Sequence, residues 1–393
     1  MPEPGPYRLT FWRAFFFLTL AAGLPALVVR YTQGIGAVSN LSDEFPWGLW
    51  IGFDLLCGVG LAAGGFTVTA MVYLLNLKRF HAIVRPAVLT AFLGYALVIA
   101  ALLVDLGRPW NIWHPIIMWN PRSVMFEVGW CVMLYTTVLF LELSGMLFER
   151  FGWTRAVKVQ RVATLPLVIL GVLLSTLHQS SLGALYLIAP HKLHPLWYSG
   201  ALPWIFWTSA VAAGLAMTIV ESNLSARAFK RQLELPILTD LSRILVVALG
   251  VFGVFRLTDL AYRQALGYLF EASYESAFFH LEFLAGVVLP FVLLASEKRR
   301  RNPRILYGAA LLAVMGFVVN RLNVAVTGLE TAAGQRYVPA FTELLISIFI
   351  VSIGFAVFGV AVKYFKVFPE EEHAAAPVPG LPPERLAPFA RTT

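Results

Sequence analysis

The sequence predicts an all-α polytopic membrane protein with about ten transmembrane helices. Of its 393 residues, 59% are hydrophobic and only 13% are charged, whereas a soluble domain carries about 25% charged residues. The apolar residues form long unbroken runs without the alternation of a membrane barrel, so helices must satisfy the backbone. We expect one membrane domain over residues 1–368 and a disordered cytoplasmic tail rich in Ala, Pro and Glu over 369–393.

Ten apolar segments reach the roughly 20 residues that a membrane-spanning helix needs. Their approximate limits are 11–29, 47–75, 84–104, 123–147, 162–187, 203–222, 243–265, 274–296, 304–325 and 342–365. The motif Asp105-Leu-Gly-Arg108 resembles Asp259-Leu-Ala-Tyr-Arg263, and a glutamate follows each motif in the next span. This similarity predicts two parallel helix-bundle repeats with flanking helices. Chance recurrence of common residues is the alternative.

Basic residues are concentrated in every second loop. They are Lys78, Arg79, Arg85, Arg150, Arg155, Lys158, Arg161, Arg227, Lys230, Arg231, Lys298 to Arg301, and Arg304. By the positive-inside rule, both termini are cytoplasmic and the protein lies in a bacterial inner membrane. The loops near 30–46, 105–122, 187–202, 266–273 and 326–341 then face the periplasm.

Composition and residue spacing exclude several classes of protein. The net charge of +8 reflects cytoplasmic loops, and the chain shows no soluble module that could bind nucleic acid. Cys57 and Cys131 are too few for an iron–sulfur cluster. His178 and His280 would formally suit bis-histidine haem ligation, but further pairs are absent and zinc-ligand spacings are missing. We therefore expect a chain without haem, iron–sulfur cluster or metal site.

Most ionisable and polar residues inside the spans lie toward their periplasmic ends. Each charged group at bilayer depth costs about 2.5 to 3.5 kcal/mol, which favours one shared polar site over scattered tolerance. The predicted layer consists of Asp54, Asp105, Arg108, Glu127, His178, Gln179, Arg256, Asp259, His280, Glu282, Asn320, Arg321 and Glu343.

Glu127 and His178 are the strongest candidates for proton chemistry in this layer. No basic residue lies within one helical turn of Glu127, so its carboxyl must find a partner on another span or stay protonated. His178 and Ser181 share a helix face and could together hold a carbonyl oxygen. Polar contacts between helices are the alternative for this pair.

The outer end of the third span combines charges with tryptophans. Asp105 and Arg108 are three residues apart, so they form either a local salt bridge or a ligand-facing pair. Trp110, Trp113 and Trp119 form an interfacial belt, a hydrophobic doorway or a docking surface. The spacing of Arg256, Asp259 and Arg263 predicts a structural ion-pair ladder.

Three polar residues nearer the cytoplasm could extend a proton path inward from Glu127. They are Tyr95 in mid-span, Glu142 and Glu221. Solvation at helix ends is the alternative for the two glutamates.

A set of motifs along nearly the whole chain carries a family resemblance. They are Phe45–Asp54, Val84–Tyr95, Asp105–Trp110, Asn120–Glu127, Thr176–Gly183, His194–Trp197 and Thr342–Ser347. In these motifs the chain resembles the NrfD/polysulfide-reductase membrane subunits, and within them the HybB-type integral membrane subunits of uptake nickel-iron hydrogenases.

The resemblance implies a ten-helix, haem-free subunit that binds menaquinone or ubiquinone near the periplasmic face. Electrons would arrive from a periplasmic ferredoxin-like iron–sulfur subunit, which the hydrogenase large and small subunits supply. The family's acid in the fourth span falls on Glu127 and its histidine motif on His178.

These observations predict a membrane subunit of a hydrogen:quinone oxidoreductase that acts only within its complex. We expect Glu127, His178 and Asp105 to position or supply the two protons of quinone reduction. The expected quinone-binding residues are Asp54, Arg108, Trp110, Gln179 and Ser181.

Two alternative functions remain open at this point. The same module could serve a polysulfide, nitrite or sulfite reductase. A proton- or solute-coupled transporter would have helices broken near midplane, and glycines at 58, 60, 64 and 65 interrupt the second span. Close helix packing is the preferred explanation for these glycines.

The distribution of basic residues yields a direct test of topology. Alkaline phosphatase fused after Phe368 should be inactive in cells, because the positive-inside rule places this end in the cytoplasm. The same enzyme fused after Gly334 should be active in the periplasm. The reverse pattern would contradict the predicted orientation.

Overall fold

The computed structural model describes residues 11–368, and every regular element within this range is helical. Ten helices are long and apolar enough to cross a membrane, which confirms the fold class predicted from the sequence. We label them α1 to α10: Trp12–Gln33, Trp50–Leu74, Lys78–Asp105, Val124–Phe151, Thr154–Ile188, Leu202–Ala228, Leu235–Tyr262, Tyr274–Ala295, Pro303–Ala333 and Phe341–Tyr364. The predicted tail over 369–393 lies outside the described residues.

Several helices are longer than the sequence indicated, and three of them extend about eight residues beyond a predicted limit. α5 begins at Thr154 rather than near 162, α7 begins at Leu235 rather than near 243, and α9 continues to Ala333 rather than ending near 325. Consequently Arg155, Lys158 and Arg161, which we expected in a loop, lie on the first turns of α5. Hydropathy detects the apolar part of a helix, but not polar turns that continue beyond it.

The ten helices form two four-helix groups and a flanking pair. The first bundle consists of α2 to α5, and the second consists of α6 to α9. α6 also packs against α2 and α5 and thereby joins the bundles, while α1 and α10 pack on each other and α10 packs on α3. We call the end of the molecule at which α1 finishes the outer end.

Facing glycines allow two pairs of helices to approach closely. Gly64 of α2 faces Gly214 of α6, and Gly286 of α8 faces Gly316 of α9. In both crossings an added Cβ would meet the partner's backbone. Small residues at such crossings increase van der Waals contact between membrane helices. At Gly64, therefore, the glycine serves packing against α6.

Short π-helical segments lie within several spans. Trp50–Leu55 in α2 contains Asp54, and Leu281–Val288 in α8 contains Glu282. A third segment in α9, Asn323–Thr327, contains Asn323. Wider helical turns of this type shift the side chains that follow and often occur at functional sites. They set the direction of polar side chains that a uniform helix would place elsewhere.

The crossing of α8 and α9 should be sensitive to a single methyl group. Gly316→Ala should lower the melting temperature of the purified protein, because its Cβ would meet the Gly286 backbone and overpacking costs about 1 to 3 kcal/mol. Gly308→Ala on the same helix is the matched control, since an added Cβ at this position meets no atom within 4 Å. Equal melting temperatures for the two variants would contradict the proposed crossing.

Candidate functional site

A buried cluster of polar side chains lies inside the first bundle. The Tyr95 hydroxyl of α3 and Nδ1 of His178 on α5 are 2.7 Å apart and share a hydrogen bond. The Tyr95 ring also packs edge-on against Tyr135 of α4, with 4.7 Å between ring centroids. Tyr95 and His178 are both 0% exposed. We call Tyr95, Tyr135, Ser175, His178 and Gln179 the buried polar cluster.

Several atoms of this cluster lack hydrogen-bond partners among the described residues. They are His178 Nε2, Gln179 Oε1, the Tyr135 hydroxyl and the Ser175 hydroxyl. Buried polar atoms are normally paired, and each unpaired one costs about 1 to 3 kcal/mol. Four such atoms lie close together here, which makes the buried polar cluster a candidate site.

The side chains of Gln179 and Ser181 both donate hydrogen bonds to backbone carbonyl groups. Gln179 donates its side-chain N–H to the Val59 carbonyl of α2 at 3.1 Å, which ties α5 to α2. The Ser181 hydroxyl donates to the Leu177 carbonyl of its own helix at 2.7 Å. The Gln179 side-chain oxygen therefore remains available as an acceptor, whereas Ser181 could receive a hydrogen bond only through its lone pairs.

Asp54 and Asp105 lie among outer residues of α1, α3 and α10. The Ser347 hydroxyl donates to Asp54 at 2.6 Å. Arg30 donates to the Val104 and Leu106 carbonyls at 2.6 and 2.7 Å, where α3 ends beside Asp105. A cation at a helix C-terminus is favoured by the helix dipole. Arg30 therefore fastens α1 to the end of α3.

The local salt bridge between Asp105 and Arg108, one of the two alternatives for this pair, is absent from the described structure. α3 ends at Asp105, and Leu106 adopts an extended conformation. The three-residue spacing joins side chains only when the helix continues through both positions. Arg108 is consequently exposed, and the cation beside Asp105 is Arg30.

Glu343 organises the loops above the outer end of α10. Its buried carboxylate accepts hydrogen bonds from the backbone N–H groups of Asn40 and Ala340 at 2.8 and 3.0 Å, and from the Tyr337 hydroxyl. The Tyr337 oxygen in turn accepts the Leu49 N–H at 3.0 Å. Burial and the bond to Glu343 raise the pKa of Tyr337 above its usual range, so the hydroxyl remains a donor.

Glu127 lies at the surface rather than within the buried polar cluster. It occupies the first turn of α4 and is exposed, and its carboxylate makes no side-chain hydrogen bond to the described residues. A carboxylate at this position is favoured by the positive end of the helix dipole. The sequence placed Glu127 near the outer start of the fourth span, which agrees with a helix that begins at Val124, but it could not show that the side chain faces outward from the bundle.

The tryptophan loop before α4 is also largely exposed. Trp110 is 69% exposed and Trp119 is 66% exposed. Trp130 of α4 donates its indole N–H to the Pro115 carbonyl at 2.9 Å and holds the loop against the helix. This loop therefore presents apolar rings at the outer surface next to Arg108 and Glu127.

The second bundle holds its acid in a more completely paired environment. Glu282 accepts hydrogen bonds from Trp197, Asn320 and Asn323 at 3.1, 3.1 and 2.6 Å. The Arg321 guanidinium lies between the rings of Phe206 and Phe317, at 3.8 and 4.3 Å from their centroids. These contacts give the second bundle a structural polar core.

Of the ion pairs predicted along α7, the described structure contains the one between Asp259 and Arg263 but not the one between Arg256 and Asp259. Arg263 and Asp259 form a salt bridge of 2.9 Å. Arg256 instead donates to the Leu196 carbonyl at 2.8 Å, because the intervening turn directs its side chain toward the loop between α5 and α6. Glu127 pairs with neither Arg256 nor Arg321, whose hydrogen bonds are to other groups.

The two inner glutamates are both half-buried. The Glu142 carboxylate on α4 lies beside Gly171 of α5, and an added Cβ at Gly171 would be 3.7 Å from it. Glu221 of α6 lies beside Thr90 of α3. Both acids therefore face helix interfaces in the inner half of the molecule. Full solvation at helix ends, the alternative suggested by the sequence, does not describe either residue.

Tyr135 and Ser175 are site residues that the sequence analysis missed. Their spacing carried a signal: Tyr135 follows Glu127 by eight residues, and Ser175 precedes His178 by three. Both spacings place the residues on one helix face. Within residues 11–368, no group of three or more His, Cys, Asp and Glu side chains is arranged to hold a metal ion.

Three relatives match most of this chain. A protein of Nitratidesulfovibrio vulgaris Hildenborough is 44% identical over 345 residues, 85% of this chain and 88% of the relative. The probable Ni/Fe-hydrogenase 2 b-type cytochrome subunit of Escherichia coli K12 is 35% identical over 348 residues, which is 87% of this chain and 88% of the relative. The menaquinone reductase integral membrane subunit of N. vulgaris is 29% identical over 395 residues, 93% of each.

The comparison with the E. coli subunit overturns one expectation. That relative is named a b-type cytochrome subunit, and b-type cytochromes are haem proteins. The expectation of a haem-free chain, which rested on the lack of further histidine pairs, is therefore wrong. A single pair can suffice for one haem, so counting pairs was an insufficient criterion.

The two histidines considered for such a pair differ in their surroundings. His178 Nε2 has no hydrogen-bond partner among the described residues, so its donor chemistry would suit an iron ligand. However, the His178 ring is 0% exposed, so neighbouring protein atoms cover it closely. His280 Nδ1 lies 2.8 Å from the Ser276 carbonyl of its own helix. This close packing around His178 does not fit a haem.

A family model described as polysulphide reductase, NrfD, matches residues 37–333. The match begins in the loop after α1 and ends with α9, so it includes both four-helix bundles and every residue of the buried polar cluster. It agrees with the 35% identity to the E. coli hydrogenase subunit over most of both chains. The chain therefore belongs to the NrfD/polysulphide reductase family.

Proposed function

We propose that this chain is the quinone-reactive membrane subunit of a hydrogen:quinone oxidoreductase in a bacterial inner membrane. Relatives that match most of the chain are named as membrane subunits of a Ni/Fe-hydrogenase and of a menaquinone reductase. These names support a role in a redox complex and do not favour the transporter alternative. The chain acts only with its partner subunits, because it carries no hydrogen-splitting centre of its own in this proposal.

The buried polar cluster is the observation that carries the proposal. Quinone reduction consumes two electrons and two protons, so the site must deliver protons into an apolar bundle. The hydrogen-bonded Tyr95 and His178 are fully buried, and His178 keeps one nitrogen unpaired. Such a nitrogen can receive or release a proton without first breaking an existing hydrogen bond.

We assign quinone binding to residues of the buried polar cluster and to residues between this cluster and the outer end. The free oxygen of Gln179 can accept a quinol hydroxyl, and Ser181 and Asp54 line the same outer half of the first bundle. Arg108 and Trp110 are exposed at the outer rim and would form the entrance. Menaquinone is supported by one relative's name, and ubiquinone has the same two carbonyl groups.

Electron supply is assigned to the outer surface of the molecule. We propose that a periplasmic ferredoxin-like iron–sulfur subunit docks there and receives electrons from the hydrogenase large and small subunits. The exposed Trp110, Met118 and Trp119 provide apolar rings of the kind enriched at protein interfaces. Lipid headgroups would cover the part of this loop outside the interface.

Protons are proposed to reach the quinone by two routes. Glu127 and Asp105 lie at the outer end and would supply protons from the periplasmic side. Tyr95, Glu142 and Glu221 would form a path from the cytoplasmic side, since both glutamates are half-buried at inner helix interfaces. The inner route would couple quinone chemistry to proton movement across the membrane.

A different respiratory reductase is the second candidate function. The relative named menaquinone reductase integral membrane subunit is 29% identical over 93% of this chain. The catalytic subunit that co-purifies with the chain distinguishes the two functions. A nickel-iron enzyme supports the hydrogenase assignment, whereas another reductase replaces it.

Glu127→Gln tests the assignment of the outer proton donor. The change keeps size and hydrogen-bonding capacity, removes the titratable proton, and breaks no contact in the described structure. Hydrogen-dependent reduction of a menaquinone analogue should fall by about 10²- to 10⁴-fold, the usual contribution of general acid catalysis. Reduction of an artificial dye that accepts electrons before this subunit should stay normal, at unchanged subunit levels.

Glu44→Gln is the matched control, since Glu44 is also an exposed acid of an outer loop. It should leave both activities unchanged. Normal quinone turnover in Glu127→Gln would remove Glu127 from the mechanism and leave His178 and Asp105 as the candidates.

A further inference from the structure

We propose that Tyr135 and Ser175 form a hydroxyl relay that carries protons between Glu142 and the Tyr95–His178 pair. This inference rests on the proposed function, because it assumes that a quinone takes up protons in the first bundle. It identifies two residues that connect the inner glutamate to the buried polar cluster.

The relay residues face each other across α4 and α5. Tyr135 and Glu142 are seven residues apart on α4. On α5, Ser175 follows Gly171 by four residues, and His178 follows Ser175 by three. These spacings place each set on one helix face. α4 and α5 pack along much of their length, so the two faces meet, and we call these residues, together with Tyr95, the polar column.

Gly171 brings the lower part of this column together. A Cβ built at this glycine would lie 3.6 Å from the Tyr135 ring and 3.7 Å from the Glu142 carboxylate. Both side chains therefore approach the same point on α5. Because Gly171 has no side chain, nothing from α5 separates Tyr135 from Glu142 at this point.

Ser175 and Tyr95 continue the column toward the outer end. Ser175 is one turn before His178 and lies next to the hydroxyls of both Tyr95 and Tyr135. The ring centroids of Tyr95 and Tyr135 are 4.7 Å apart, and Tyr95 is hydrogen-bonded to His178. Glu142, Tyr135, Ser175, Tyr95 and His178 thus follow one another along the α4–α5 interface, with the Val138 side chain beside the lower part of the column.

The state of the hydroxyls supports a relay rather than a structural contact. The hydroxyls of Tyr135 and Ser175 are buried and have no aligned hydrogen-bond partner among the described residues. A hydroxyl can donate and accept at once, and its hydrogen rotates freely. Each can therefore turn toward either neighbour. A structural role would instead leave both hydroxyls in fixed, well-aligned bonds.

The relay conserves protons at every step. Glu142 gives one proton to the column, each hydroxyl accepts a proton and passes on its own, and the last proton goes to a quinone oxygen beside His178. The two electrons come from the reduced iron–sulfur centre of the partner subunit. All relay residues except Glu142 are at most 1% exposed, so bulk water does not replace them.

The test uses the intact complex in liposomes, with hydrogen as donor and a menaquinone analogue as acceptor. Tyr135→Phe and Ser175→Ala remove one hydroxyl each. Each should lower quinone reduction and inner-side proton uptake at least ten-fold, at unchanged dye reduction and melting temperature. Ser175→Thr restores the hydroxyl and should recover activity. Tyr186→Phe is the control, because its hydroxyl is also buried and unpaired but lies outside the column.

The outcomes separate this relay from the proposed function. If Tyr135→Phe and Ser175→Ala keep wild-type turnover and proton uptake while Glu127→Gln loses turnover, the relay is refuted and the proposed function stands. If the unmodified complex does not reduce the quinone, both are refuted. Loss of activity with a matching loss in Tyr186→Phe would show a general effect of removing buried hydroxyls and would also refute the relay.

Discussion

Unpaired hydrogen-bonding atoms are costly inside a helical membrane bundle, because no water is present to replace a missing partner. Both bundles contain buried polar atoms without partners among the described residues, and in the second bundle they include side-chain nitrogens of Arg256 and Arg321. In the second bundle, Glu282 is held by three donors and Arg321 is stacked between two rings. In the first bundle, Tyr135, Ser175, His178 and Gln179 retain unpaired atoms. The energetic penalty there is consistent with a site that changes partners during its function.

Close packing makes this arrangement stable despite the penalty. Gly64 meets Gly214 between α2 and α6, and Gly286 meets Gly316 between α8 and α9. Without a hydrophobic driving force between helices in lipid, such contacts provide much of the association energy. They hold α6 in place, α5 packs on α6, and α4 packs on α5. A looser bundle would let the unpaired groups rotate toward other partners.

The outer end combines a fixed part with an exposed part. Arg30, Tyr337 and Glu343 bind backbone groups and join α1, α3 and α10. The tryptophan loop and Glu127 remain exposed beside them. A partner subunit docking on this surface would therefore meet a supported platform. In the function that we propose, electrons would enter at the exposed part and protons would pass through the buried part.

The sequence by itself determined the helical membrane fold, the approximate spans and the family, since hydropathy and motifs are local properties of the chain. It also identified Tyr95 and His178, although it could not show that they are bonded. Tertiary structure alone decided that Arg30 rather than Arg108 lies beside Asp105, that Glu127 is exposed, and that Tyr135 and Ser175 join the cluster. These features depend on where helices begin and end and on contacts between distant segments, neither of which hydropathy or residue spacing records.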